Sequence, residues 1–264
     1  MESFRLDGRV AVVTGAGRGI GAAIARGLAE AGAHVAVSAR TESDLQAVAG
    51  DVEAHGQTAL VVPDDLSDRE AMVSLVASTV ERFGRLDLLV NNVGGTGPAA
   101  FLDVSERNFE RAFSWNVTTA FNMTQAAVPH LLDSDAAAVV NISSAAGRHA
   151  SRGFTAYGTA KAALIQLTRH LAAELAPRVR VNSIAPGAIV TGALAGILTE
   201  DLEEAMVAGT PLRRIGMVDD VAAAAVYLCS PASSYVTGQV LPVDGGTQAS
   251  SLDLGLPDLG PSVR

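Results

Sequence analysis

Apolar positions along this chain fall into seven short runs rich in small and β-branched residues. Each is separated from the next by a stretch of helical composition. Residues 9–13, 34–38, 57–62, 86–90, 136–144, 178–185 and 239–243 read as buried strands. Helices are predicted over 22–31, stopped by Gly32, over 42–55, and over 67–83 with Ser67 as N-cap and Glu70 completing a capping box. Residues 105–132 read as one long helix opened by Ser105, and 154–176 as another. Asp219 or Asp220 is expected to cap the next helix, whose VAAAAVYLC run is apolar all round and so is expected to be covered on both sides, one of them by a partner subunit. Residues 192–217 lack a regular pattern except for an amphipathic piece at 200–208, the mark of a lid or binding loop. Strands alternating with helices at this spacing imply an α/β fold with a parallel sheet and right-handed crossovers. No repeat or linker interrupts it, so residues 1–250 are expected to form a single domain that includes the 192–217 loop, followed by an extended tail over 251–264.

Ligands of such sheets bind past the carboxyl ends of the strands. The first strand is followed there by T-G-A-G-R-G-I-G at 14–21 and then by a helix. Strand, glycine turn and helix form the setting of a dinucleotide loop: glycines let the backbone approach a pyrophosphate, and the helix supplies free N–H groups. The second strand ends at Ala39-Arg40, where an acid would bind the ribose 2′-OH of NAD. Arg40, with Arg18 of the loop, instead suits a 2′-phosphate, because guanidinium groups make forked hydrogen bonds to phosphate. The expected cofactor is therefore NADP(H) rather than NAD(H). Asp64, Asp65 and Leu66 follow the third strand, where an adenine edge would lie, and Asn91-Asn92-Val93-Gly94-Gly95 follow the fourth.

The fifth strand runs into Ser144, and Tyr157 and Lys161 stand thirteen and seventeen residues further on. Four residues apart on a helix, the tyrosine and lysine share a face. An ammonium beside a phenol favours the phenolate, so the Tyr157 pKa is expected to fall from about 10 toward working pH. That makes Tyr157 a proton donor to a carbonyl or an acceptor from an alcohol, with Ser144 bonding the same oxygen. Asn116, an amide amid apolar neighbours, is either a packing hydrogen bond or part of a polar relay toward Lys161.

Composition narrows the picture. The chain has 264 residues, 48% hydrophobic but only 4% aromatic, with 26 glycines, as close helix–sheet packing requires. A formal net charge of −9 argues against nucleic acid as the main partner. No leader-like apolar core and no run near the roughly 20 residues of a membrane span is present, so a cytoplasmic protein is expected. The lone Cys229 excludes an internal disulfide, and the five histidines share no metal-ligand spacing, so no metal is expected. Arg148, His149 and Arg152 make the 144–157 loop basic.

Together these motifs resemble the short-chain dehydrogenase/reductase family. The resemblance spans about residues 6–246 and rests on T-G-x-x-x-G-x-G, N-N-x-G at 91–94, Asn116, Ser144, Y-x-x-x-K at 157–161, P-G at 186–187 with Thr191, and D-G-G at 244–246. It implies a single Rossmann-type, doubly wound parallel sheet of about seven strands with helices on both faces. It further implies a homo-oligomer, tetramer over dimer, acting on a small carbonyl or alcohol. The implied catalytic residues are Asn116, holding a water of the proton relay, Ser144, Tyr157 and Lys161. Implied cofactor contacts are Gly15, Arg18, Gly19, Ile20, Gly21, Arg40, Asp65, Leu66, Asn91, Gly94, Tyr157, Lys161, Pro186, Gly187, Ile189 and Thr191. Val93 departs from the family's usual alanine. N-x-G-G-x-G-P at 92–98 and the segment from P-G-A-I-V-T-G-A-L to T-P-L-R-R-I-G are similar to bacterial 7α-hydroxysteroid dehydrogenases, which carry an acid at the position of Ala39. Two other functions fit the same residues: a 3-oxoacyl-thioester reductase whose basic loop meets an acidic carrier protein, and a non-catalytic NADP-binding regulator.

Overall fold

Successive residues of a strand point to opposite faces, so a strand that is apolar throughout must be covered on both sides. The structure, a computed structural model describing residues 2–196, 198–250, 254–256 and 258, meets this with one seven-stranded parallel sheet. In chain order the main elements are β1 (Val10–Thr14), α1 (Gly19–Glu30), β2 (His34–Ala39), α2 (Glu42–Ala54), β3 (Ala59–Pro63), α3 (Arg69–Phe83), β4 (Leu88–Asn91), α4 (Glu106–Phe113), α5 (Thr119–Leu131), β5 (Ala138–Ile142), α6 (Thr155–Leu175), β6 (Arg180–Pro186), α7 (Gly192–Ala195), α8 (Glu200–Gly209), α9 (Val218–Cys229) and β7 (Val240–Val243). The sheet order is β3-β2-β1-β4-β5-β6-β7, so the chain reverses direction across the sheet between β1 and β4. A crevice opens there, beyond the strands' carboxyl ends.

Alternation assigns the two cores. Ala11 and Val13 of β1, Val35 and Val37 of β2, and Leu88 and Val90 of β4 face α1, α2 and α9. Val12, Ala36 and Leu89 face the opposite layer with α3, α5 and α6. Each fully buried Val or Leu contributes about 1.5–3 kcal/mol relative to exposure.

Three local expectations change. Asp68, not Ser67, caps α3, its carboxylate accepting from Glu70 N at 2.9 Å; the Ser67 N–H is instead turned to the Asp65 side chain at 3.0 Å. The helix expected over 105–132 is interrupted by a π turn at Ser114–Thr118. Met217 precedes α9, and Asp220, three residues in, reaches back to the Met217 N–H at 2.7 Å, so neither aspartate is the cap. Helix α9 buries Val221, Ala222, Ala225, Leu228 and Cys229 but leaves Ala223 exposed. Within the chain α9 is covered by α1, where a Cβ on Gly27 would stand 3.4 Å from Val226, and the exposed Ala223 is on the side left for a partner subunit. No helix among the described residues is long and apolar enough to cross a membrane.

At the amino end of the sheet the buried Asp87 accepts from Val10 N at 2.9 Å, Ser134 Oγ at 2.6 Å and Arg85 Nη2 at 2.6 Å. Burial pushes its carboxyl up, but the hydrogen bonds from Arg85, Ser134 and the Val10 N–H outweigh it and hold the pKa below its ordinary 3.8. Asp87→Asn should lower unfolding stability by about 2 kcal/mol at pH 7 in denaturant titrations. A depressed folded pKa contributes stability above the unfolded value and loses it as pH falls through the folded one. The gap between the two proteins should therefore shrink below pH 3.8. Coincident titrations at pH 7 would contradict this account.

Candidate active site

The crevice is built from the end of β1 outward. The Thr14 hydroxyl accepts from Asn92 N at 3.0 Å and Val93 N at 3.1 Å and donates to Val90 O at 3.3 Å, tying the turn after β1 to the end of β4. Asn92 Nδ2 closes the other side, donating to Thr14 O and Gly15 O at 3.0 Å. Gly15 and Gly19 take φ of +64° and +57°, conformations that other residues rarely adopt. Gly21 is buried, and a Cβ there would collide with the Gly15 carbonyl, so its part is to let α1 approach the turn. The result is a cleft of about 660 Å³ at the N-terminus of α1.

Gly15, Arg18, Gly19, Ile20, Arg40, Leu66, Gly94, Ser144, Tyr157, Lys161, Pro186, Gly187, Ile189 and Thr191 all line this cleft. Gly21, Asp65, Asn91 and Asn116 do not. Asp65 is exposed, its side chain accepting from Ser67 N, and the neighbouring Asp64 lines the wall instead. Asn91 is buried in packing, donating to Asn141 Oδ1 at 2.9 Å and Thr124 Oγ1 at 3.1 Å. Adjacent strand residues point opposite ways, and the one turned to the cleft is Asn92. Asn92, Asp44 and Trp115 are among the wall residues that the expected contacts leave out, with Gly17, Thr41 and Ile142. Arg18 and Arg40 are exposed on the rim, and among the described residues neither guanidinium has a polar partner.

The cleft fits a dinucleotide. Gly15 and Gly19 open the turn's backbone to the cleft, a helix N-terminus faces it, and on its rim stand Arg18 and Arg40, two cations without a polar partner among the described residues.

At the other end, Ser144 begins a short turn, its Oγ accepting from Ala146 N at 3.1 Å. Ser143 is engaged inside the sheet, donating to Ile184 O at 2.8 Å and accepting from Ser183 Oγ at 2.7 Å. Tyr157 lies in the first turn of α6 and Lys161 one turn on. The Lys161 ammonium is buried on the Ile142 carbonyl at 2.8 Å, and Nζ lies 5.7 Å from the centre of the Tyr157 ring. Gly94 opens the space for it: a Cβ there would lie 2.8 Å from Lys161 Nζ and 2.6 Å from Asn116 Oδ1. Asn116 sits in the π turn, accepts from Gly95 N at 2.8 Å and donates to Ala112 O at 2.8 Å. It thus holds the 94–95 backbone against Lys161 from behind the wall.

The expected lowering of the phenol pKa is not what this site does. Burial raises Tyr157 above its ordinary 10.0, and hydrogen bonding with Ser144 pulls the other way without cancelling it. Burial likewise pushes Lys161 down to about 7. The lysine shares the tyrosine's helix face, but burial is the largest influence on the phenol and the hydrogen bond with Ser144 the one that opposes it.

A second cavity of about 590 Å³ lies on the far side of Ser144 and Tyr157. Pro98, Phe154, Leu194 and Met206 give it an apolar wall, and Thr247 and Ala249 close one end. The 192–217 segment is therefore folded into α7 and α8 as part of this wall. The described part of the 251–264 tail packs on the same loop: a Cβ on Gly153 would stand 3.3 Å from Leu254 and 3.4 Å from Pro98. The basic loop is engaged within the chain, Arg148 with Asp244 at 2.9 Å and Arg152 with Asp258 at 3.2 Å.

A sequence family described as enoyl-(acyl carrier protein) reductase matches residues 15–248. The chain is 52% identical over 261 residues to an uncharacterized oxidoreductase of Mycobacterium tuberculosis, covering 98% of this chain and 99% of that one. It is 39% identical over 246 residues to the 7α-hydroxysteroid dehydrogenase of Escherichia coli K12, covering 93% and 96%. A solved 7α-hydroxysteroid dehydrogenase, complexed with NADH and 7-oxo glycochenodeoxycholic acid, superposes with a TM-score of 0.91 at 38% identity, covering 96% and 98% of the two chains.

The buried lysine gives a pH signature. With a folded pKa of about 7 against an ordinary 10.5, the unfolded chain binds more protons between those values, so stability rises with pH across that window. Lys161→Met removes this titration. Denaturation midpoints of wild type should gain on those of the variant from pH 7 to pH 10, and parallel profiles would show that the ammonium is not desolvated.

Proposed function

The chain belongs to the short-chain dehydrogenase/reductase family of oxidoreductases, and within it we propose an NADP(H)-dependent enzyme that interconverts a ketone and a secondary alcohol. The observation that carries this reading is that Ser144 and Tyr157 stand in the wall shared by the dinucleotide cleft and the apolar cavity. A carbonyl in the second cavity meets both hydroxyls while facing whatever fills the first.

When bound, a nicotinamide nucleotide supplies the hydride to the carbonyl carbon, or takes it back from the alcohol. The chain's own residues manage the oxygen and its proton. Ser144 Oγ orients the carbonyl, and the Tyr157 hydroxyl gives its proton to the oxygen as negative charge develops there. Lys161, with a pKa of about 7, exchanges a proton near neutral pH and reloads the phenol. Asn116 positions the 94–95 backbone beside that lysine. Arg18 and Arg40 receive the 2′-phosphate, and Pro186 to Thr191 flank the nicotinamide end.

The apolar cavity suits a bulky ketone or alcohol, the kind of molecule the solved 7α-hydroxysteroid dehydrogenase holds. A 3-oxoacyl-thioester reductase is the second reading: Arg148 is engaged with Asp244, but Arg152 and its partner Asp258 are both exposed, and the matching family is described by an acyl-carrier-protein reductase. A non-catalytic regulator has no need of Ser144, Tyr157 and Lys161 gathered at one wall. The lone, buried Cys229 suits a cytoplasmic enzyme, and a homotetramer is the assembly we propose.

Tyr157→Phe should lower turnover of a validated ketone by about 10²–10⁴-fold at unchanged NADPH affinity; undiminished turnover would remove the proton-donor role. Arg18→Ala and Arg40→Ala should each weaken NADPH by about tenfold or more while leaving NADH unchanged. Equal NADH and NADPH dissociation constants in the wild type would sink the 2′-phosphate assignment.

A further inference from the structure

The end of β2 carries no acid, yet the structure delivers one there from another element. Asp44 lies in the first turn of α2 and lines the dinucleotide cleft beside Ala39, Arg40 and Thr41. A Cβ built on Gly17 would stand 3.1 Å from the Asp44 Cβ, 3.4 Å from the Ala39 Cβ and 3.8 Å from Asp44 Oδ2. The acid is thus wedged between the phosphate turn and the end of β2. It is half-buried, and among the described residues its carboxylate has no hydrogen bond or ion pair. Arg18 and Arg40, the two cations of this rim, leave it unpaired as well.

We infer that Asp44 is a cofactor-specificity residue that accepts the ribose 2′-hydroxyl of NAD(H) and opposes the 2′-phosphate of NADP(H). The inference rests on a nicotinamide nucleotide occupying the cleft as proposed above. A carboxylate accepts hydrogen bonds only, so it matches a ribose hydroxyl, which can donate one. The same carboxylate repels a phosphate dianion brought between it and the arginines. The rim therefore carries two opposed terms, and the preference for NADP(H) is smaller than Arg18 and Arg40 alone would give. A merely structural acid at a helix N-terminus acts through the helix dipole and has no means to tell the two nucleotides apart.

The test measures dissociation constants of NADPH, NADH, 2′,5′-ADP and 5′-AMP by calorimetry for wild type, Asp44→Asn and Glu42→Gln. Glu42 shares the first turn of α2 but lies off the cleft wall. Asp44→Asn should tighten NADPH and 2′,5′-ADP by about fivefold to tenfold and weaken NADH and 5′-AMP. Glu42→Gln should leave every ratio where it is. A parallel shift of all four ligands in Asp44→Asn, or no shift, overturns the inference, as does an equal change in ratio in Glu42→Gln. The two readings fail separately. Wild type with equal NADH and NADPH affinities defeats the arginine assignment, yet a ratio that still moves toward NADPH in Asp44→Asn sustains this one.

Discussion

Burying the Lys161 ammonium is the constraint to which the catalytic end of the sheet conforms. A charge taken out of water needs close polar partners, and the one it bonds is the Ile142 carbonyl at the end of β5. To seat it there, residue 94 must lack a Cβ, because one would lie 2.8 Å from Nζ. Residue 147 must lack one as well, since it would stand 2.7 Å from the Lys161 carbonyl carbon. The π turn then brings Asn116 to the Gly95 N–H and fixes the strip of backbone facing the lysine. Glycine loop, catalytic turn and α6 thus meet at one point because a single cation has to be accommodated.

The same burial sets the proton inventory. Desolvation raises the phenol and lowers the ammonium, so each is moved toward its neutral form. A phenol that keeps its proton suits donation to a carbonyl oxygen, and an amine that titrates near neutrality suits replacing that proton. Within the proposed mechanism the pair works as a relay whose two members are tuned by one dry pocket.

Much of this is legible in the sequence where it follows from alternation. The strands announce themselves as β-branched runs, and the glycine turn, Ser144 and Pro186–Thr191 fall at their carboxyl ends as parallel topology demands. The rest depends on facts that no local pattern carries. Neither proline nor glycine marks the π turn at Ser114–Thr118. Asn91 and Asn92 are the same residue type at adjacent positions, and only the register of β4 decides which faces the cleft. Asp44 reads as an ordinary helix-opening acid until α2 folds against Gly17. The direction of the Tyr157 shift needs its burial, which a Tyr-x-x-x-Lys spacing does not state.

The ion pair between Arg148 and Asp244 joins the turn after Ser144 to the residue that follows the last strand. Asp244 also lies hard against Gly187, where a Cβ would stand 2.8 Å from its Cα. The turn after Ser144 is therefore braced by a part of the chain that leaves the ribosome about a hundred residues after it. A nascent chain can lay down the nucleotide half of the sheet early, but its reactive wall stays unbraced until β7 docks. The bracing of that wall arrives in step with completion of the sheet.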